Sequence, residues 1–134
     1  MTAGRRRGAG FTLIELMVTI AILAVVVSIA LPSYRSHVLR SHRSDAMATL
    51  ATYQAILERC YAQTYAYNAT SCTAVPVFPQ TSPQGYYTIN ADLAASTYTL
   101  TAAANPGQAD DTACATMTVN QANVRTPAGT CWNP

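Results

Sequence analysis

Between Phe11 and Leu31 the chain reads FTLIELMVTIAILAVVVSIAL, 21 residues whose polar side chains are Thr12, Glu15, Thr19 and Ser28. Nothing else in the sequence constrains the fold as tightly. As a helix the run is about 31 Å long, enough to cross the hydrocarbon core of a bilayer. Arg5, Arg6 and Arg7 precede it, and Arg35, Arg40 and Arg43 follow it, so the positive-inside rule gives a tie. A secretory signal peptide is one explanation, with Ser28-Ile29-Ala30 as an A-x-A-like cleavage site. Glu15 argues for another. A carboxylate inside a span costs about 2.5–3.5 kcal/mol on insertion scales and marks function by default. A cut before Phe11 would create an α-amine four residues away, and two opposite charges tolerate a greasy medium that neither tolerates alone.

The stretch Gly10-Phe11-Thr12-Leu13-Ile14-Glu15, with its basic leader and following apolar run, resembles the prepilin cleavage and methylation motif of type IV pilins and their pseudopilin relatives. The resemblance implies cleavage between Gly10 and Phe11 by a prepilin peptidase and N-methylation of Phe11. It also implies pairing of Glu15 with the terminal amine of a neighbouring subunit. Residues 1–10 would then be a removed leader, and residues 11–32 first a membrane helix and later the core of a filament. Residues 33–134 would form the head. The implied location is a single pass of the bacterial inner membrane with the head in the periplasm, followed by an extracellular pilus. The implied partners are other pilin subunits, the peptidase and the inner-membrane assembly machinery. Loss of the three leader arginines would take the formal net charge from +2 to −1.

Pro32 closes the apolar run, and a proline inside a helix usually kinks it. Beyond it Ala46, Leu50, Tyr53, Leu57 and Cys60 or Tyr61 recur at steps of three and four, while Arg40, Arg43, Thr49, Gln54 and Glu58 fall elsewhere on the wheel. That periodicity predicts one long helix over residues 11–61, bent near Pro32, with a buried stripe in its second half. Arg35, His37, Arg40, His42 and Arg43 read as a solvated surface, with lipid-headgroup contact or intersubunit ion pairing as the functional alternative. His37 and His42 are five apart and do not share a face as metal ligands would.

Residues 62–85 are polar, small and punctuated by Pro76, Pro79 and Pro83, which predicts a surface connection. Three strands follow by alternation, over 86–93, 97–104 and 113–120, separated by an Ala-Ala-Ser turn and by Asn105-Pro106-Gly107. The expected architecture is α+β, a long spine helix whose amphipathic half covers a small antiparallel sheet. Four cysteines allow three pairings. The local solution, Cys60–Cys72 with Cys114–Cys131, closes two short loops, and each would contribute about 3 kcal/mol by the chain-entropy estimate. The crossed pairings would tie the helix end to the final strands. Cysteines without a CxxC pair point to an oxidising compartment.

A second resemblance lies in the C-terminal half. Tyr86-Tyr87-Thr88-Ile89, Tyr98-Thr99-Leu100-Thr101-Ala102, Asp111 three before Cys114, and Cys131-Trp132 resemble PilE-type minor pilins, a group similar in turn to ComP-like pilins that act as DNA-uptake receptors. The family usually carries a glycine before the closing Cys-Trp. Here Gln121-Ala122-Asn123 forms the turn, and asparagine accepts a left-handed backbone.

No catalytic signature is present: no GxSxG, HExxH, P-loop or dinucleotide fingerprint. Asp110-Asp111 with Asp92 suggests calcium weakly and solvated turn formers more strongly, so neither metal nor cofactor is expected. Asn68-Ala69-Thr70 is a glycosylation sequon in form only. Trp132 is expected to pack on the neighbouring disulfide. The two resemblances therefore imply a structural subunit of a type IV pilus, of the minor kind, needed for pilus assembly and for twitching or adhesion. The alternatives are a DNA-uptake receptor displayed on the pilus and a pseudopilin of a type II secretion machine. Only 10% of residues are charged, against about 25% in an average soluble protein. Arg125 is the one basic side chain after residue 60, with Arg59 just before it, so strong DNA binding by the head is disfavoured.

Overall fold

The computed structural model describes residues 10–133. The chain forms two compact units, Met1–Ser36 and His37–Pro134, each taken by itself below. Helix α1, Leu13–Thr64, contributes to both. Sequence periodicity had placed its ends at 11 and 61. Local chemistry moves both.

At its start Thr12 acts as a cap. Its hydroxyl accepts the backbone N–H of Glu15 at 3.3 Å, and its carbonyl accepts that of Leu16 at 3.2 Å. Thr12 and Glu15 thus occupy the cap and N3 positions of an S/T-x-x-E pattern. At its far end Tyr65 takes a left-handed backbone, φ 57°, and donates its N–H to the Tyr61 carbonyl at 2.8 Å. This closes the helix as a C-terminal αL residue does.

In the first unit every described residue from 10 to 36 is exposed. The helix satisfies its own hydroxyls: Thr19 donates to the carbonyls of Glu15 and Leu16, at 3.0 and 2.8 Å, and Ser28 donates to that of Val25 at 2.7 Å. Such back-bonding is what a polar side chain needs where water is absent. Pro32 lies inside α1, which continues through it.

In the second unit α1 buries Arg43, Asp45, Ala46, Thr49, Leu50, Leu57 and Cys60. The apolar members follow the expected spacing. A five-stranded antiparallel meander lies against them, in the order β1-β2-β3-β4-β5. Its strands are β1 Gln80–Thr81, β2 Tyr87–Leu93, β3 Tyr98–Ala104, β4 Thr116–Asn120 and β5 Arg125–Thr126. The register aligns Ile89, Ala102 and Met117 in one cross-strand row, and Ala91, Leu100 and Val119 in the next. Alternation forces these side chains to one face, and that face is the core with Leu50, Leu57, Tyr67, Tyr87 and Tyr98.

Three expectations need correction. The third predicted strand begins at Thr116 rather than 113, because Thr112–Cys114 form a turn of 3-10 helix. Two edge strands were absent from the sequence reading; with two residues each they are too short to show alternation. The connection 62–85 is not merely surface. Tyr67 and Ser82 are buried, Val75 and Phe78 pack on the core, and β1 pairs Gln80 with Ile89.

Cys60 is bonded to Cys72 and Cys114 to Cys131, with Cα atoms 5.7 and 5.6 Å apart. The first bond fastens the connection to the last turn of α1. The second holds the C-terminal segment against the start of β4.

Candidate assembly site and polar anchors of the head

The N-terminal candidates sit at the start of α1. Gly10 and Phe11 precede the helix and are exposed, Phe11 at 82%. A cut between them would fall in non-helical, accessible chain. The leader arginines Arg5, Arg6 and Arg7 lie outside the described residues. The Glu15 carboxylate is exposed in the first helical turn and has no hydrogen-bond or ion-pair partner among the described residues. Thr12, Thr19 and Ser28 are satisfied within the helix, which leaves Glu15 as the polar side chain of this run without a partner.

The basic cluster after Pro32 does not behave as one surface. Arg43 leaves it for the interior: its Nε and Nη2 donate to the Asp111 carboxylate at 2.7 and 2.8 Å, and Nη1 donates to the Thr130 carbonyl at 3.2 Å. Asp111 is 5% exposed and also accepts from Gln108 Nε2 at 3.0 Å. The hydrogen bonds to Asp111 raise the guanidinium pKa above its ordinary value, against the opposing pull of desolvation. His42 stacks on Tyr86, ring centroids 3.6 Å apart, and its Nδ1 meets Gln108 Oε1 at 2.9 Å. Gln108 also donates to the Leu39 carbonyl at 2.8 Å. The solvated reading of Arg43 and of Asp111 is therefore corrected. A wheel sorted by polarity put Arg43 outside, yet a bidentate partner 68 residues away brings it in. Among the described residues no group of three His, Cys, Asp or Glu is placed to hold a metal ion.

Sequence reasoning missed Asp45. It is 5% exposed beside Ala46 in the buried stripe, and accepts from the Ser82 hydroxyl and from the Gln84 N–H at 3.3 Å. An acidic residue adjoining an apolar stripe was the available signal, and it called for a donor from another element. Further along, Glu58 accepts from the Tyr67 hydroxyl at 3.2 Å and the Tyr98 hydroxyl at 3.1 Å. Burial, then the charge of Glu58 and its hydrogen bond, push the Tyr67 phenol up to about 12.

The C-terminal turn follows the asparagine expectation. Asn123 adopts φ 57°, and the Asn120 side chain accepts the N–H groups of Ala122 and Val124 at 3.0 and 2.9 Å. Trp132 packs on the core cluster that includes Cys114 and Cys131, and the Arg125 guanidinium lies 5.1 Å from its ring centroid.

This architecture is that of a known class. The fold matches a solved type IV pilin from Shewanella oneidensis with a TM-score of 0.53 and 27% identity, covering 72% of this chain and 99% of that one. Residues 5–31 match the prokaryotic N-terminal methylation motif. The major fimbrial protein FimA of Dichelobacter nodosus is 39% identical over 51 residues, 38% of this chain and 33% of its own length. The fimbrial protein EcpC of Eikenella corrodens is 57% identical over 37 residues, 28% of this chain and 24% of its own. The matched stretch thus spans about a third or less of these curated relatives.

Residues 32–118, well over half of the chain, match the family described as type IV minor pilin ComP, DNA uptake sequence receptor. The chain belongs to that family of minor pilins, whose members are structural proteins and not enzymes. A match through the head separates it from pseudopilins, whose likeness to pilins through the N-terminal motif alone would not discriminate.

Proposed function

We propose that this chain is a minor subunit of a type IV pilus, held in the bacterial inner membrane by residues 11–32 and drawn into the filament by Glu15. The observation that carries this is the Glu15 carboxylate, without a partner among the described residues, in a run up to Leu31 that is otherwise apolar and internally satisfied. Its position at N3 favours a carboxylate by about 0.3–1 kcal/mol through the helix dipole. That is too little to offset an insertion cost of about 2.5–3.5 kcal/mol, so capping alone does not account for the acid. A methylated amine on Phe11 of an adjacent subunit supplies the missing charge. The prepilin peptidase makes that amine by cutting after Gly10, where the chain is not yet helical. Pro32, which removes one backbone donor from α1, is the place where the helix yields during packing. The head stays periplasmic until assembly and extracellular afterwards.

The Glu15→Val variant is expected to insert into the membrane normally and to be missing from sheared pili. Normal incorporation of that variant would refute the pairing. A second reading, DNA capture from the pilus, is supported by the family match over residues 32–118. Arg40, Arg59 and Arg125 are the exposed arginines of residues 37–134 and supply at most three phosphate contacts, so affinity should fall with salt at a log–log slope no steeper than about −3. A slope near −6 in duplex titrations would show that other basic residues take part.

A further inference from the structure

We infer that the head carries a site for a phosphate-type oxyanion, in a cavity of about 150 Å³ lined by Arg40, Arg43, Thr130 and Asn133. Three observations converge on it. Arg40 has no hydrogen-bond or ion-pair partner among the described residues, and the charge of Arg43 is already matched by Asp111, so the cavity keeps one net positive charge. Arg43 uses three of its five N–H donors, on Asp111 and the Thr130 carbonyl, and is fixed in place by them. The Thr130 hydroxyl and the Asn133 amide have no partner among the described residues either. The cavity therefore offers two guanidinium groups, a hydroxyl and an amide, and among the described residues no carboxylate lines it.

A planar fork fits two oxygens of a tetrahedral anion, and a second guanidinium reaches a third. The built part is Arg43, which the Asp111 pair holds against the wall of the head. Arg40, one turn earlier on α1 and exposed, is the other jaw. Two sources provide the same chemistry, the phosphate of an anionic lipid headgroup and free inorganic phosphate. Arg40 follows the last residue of the apolar run, Leu31, by nine positions, which suits a headgroup. That preference for a lipid rests on the membrane reading above; the oxyanion site itself does not.

The test uses the full chain in maltoside micelles, which contain no phosphate, and follows the arginine Nε–Hε resonances. Inorganic phosphate and phosphatidylglycerol are titrated separately, with a neutral glycolipid and sodium chloride of matched ionic strength as controls. A saturable shift of Arg40 with either phosphate source, and with neither control, is expected. Arg40→Gln should weaken binding about tenfold or more while Trp132 emission and thermal unfolding stay unchanged. Saturation by phosphatidylglycerol alone identifies a headgroup site, and saturation by free phosphate identifies a soluble-anion site. No shift with either source, equal shifts with the controls, or full affinity in Arg40→Gln would each overturn the assignment.

Discussion

The two halves of α1 share a backbone and differ in everything around it. From residue 13 to 31 the helix is apolar on all sides but for Glu15, Thr19 and Ser28, and no side chain is buried. From Arg43 to Cys60 one stripe is buried and the opposite face is wet. A helix apolar all round needs a non-aqueous neighbour that the described residues do not supply, whereas a striped helix finds its cover among them. The pattern thus tells which contacts are made on folding and which are left for lipid or other subunits.

If that division is right, substitutions of equal size should have unequal effects on the two halves. Trp132, the one tryptophan, reports unfolding of the head alone. Arg43→Leu should be the most damaging, at about 3–5 kcal/mol, because Asp111 would be left buried without its cation. A loss under about 1 kcal/mol in urea unfolding would mean that the pair is effectively solvated. Leu57→Ala should cost about 2–5 kcal/mol by leaving a cavity, while Leu23→Ala should leave head unfolding unchanged. An equal effect of the two leucines would break the comparison outright.

The Tyr67–Glu58 contact gives a pH test. A phenol whose pKa is raised on folding is held neutral by the fold. Its stabilising contribution is complete below pH about 10, the unfolded value, and is lost as pH climbs through about 12. Glu58→Gln should move the tyrosinate absorbance transition of Tyr67 downward, though not to the ordinary value, because burial is the larger cause. Asn123 offers the smallest effect. Asn123→Gly should be neutral within a few tenths of a kcal/mol, and Asn123→Val should cost about 1–2 kcal/mol through its left-handed φ. A valine tolerated there would mean that the turn relaxes to another backbone.

Much of this was legible before any coordinates. The apolar run, Glu15 within it, the stripe through Ala46, Leu50 and Leu57, and the alternation of Tyr87-Ile89 and Tyr98-Leu100-Ala102 are all periodic or local signals. What escaped notice was aperiodic. Arg43 and Asp111 read as solvent-facing, Asp45 and Gln108 carried no periodic signal, and the burial of these residues depends on partners many positions distant. The cavity beside Arg40 depends on the same return of the C-terminal segment to α1, since Thr130 and Asn133 form its other wall.

By itself the sequence determined the helix, its two solvents, the phase of the three long strands and the oddity of a carboxylate in a greasy segment. These follow from side-chain periodicity and local backbone preference, which act within a few residues. Tertiary structure alone decided which charges are interior and that Arg40 lies beside the paired Arg43. A buried ion is tolerated only when its partner arrives from elsewhere in the chain, and no short-range pattern records that arrival.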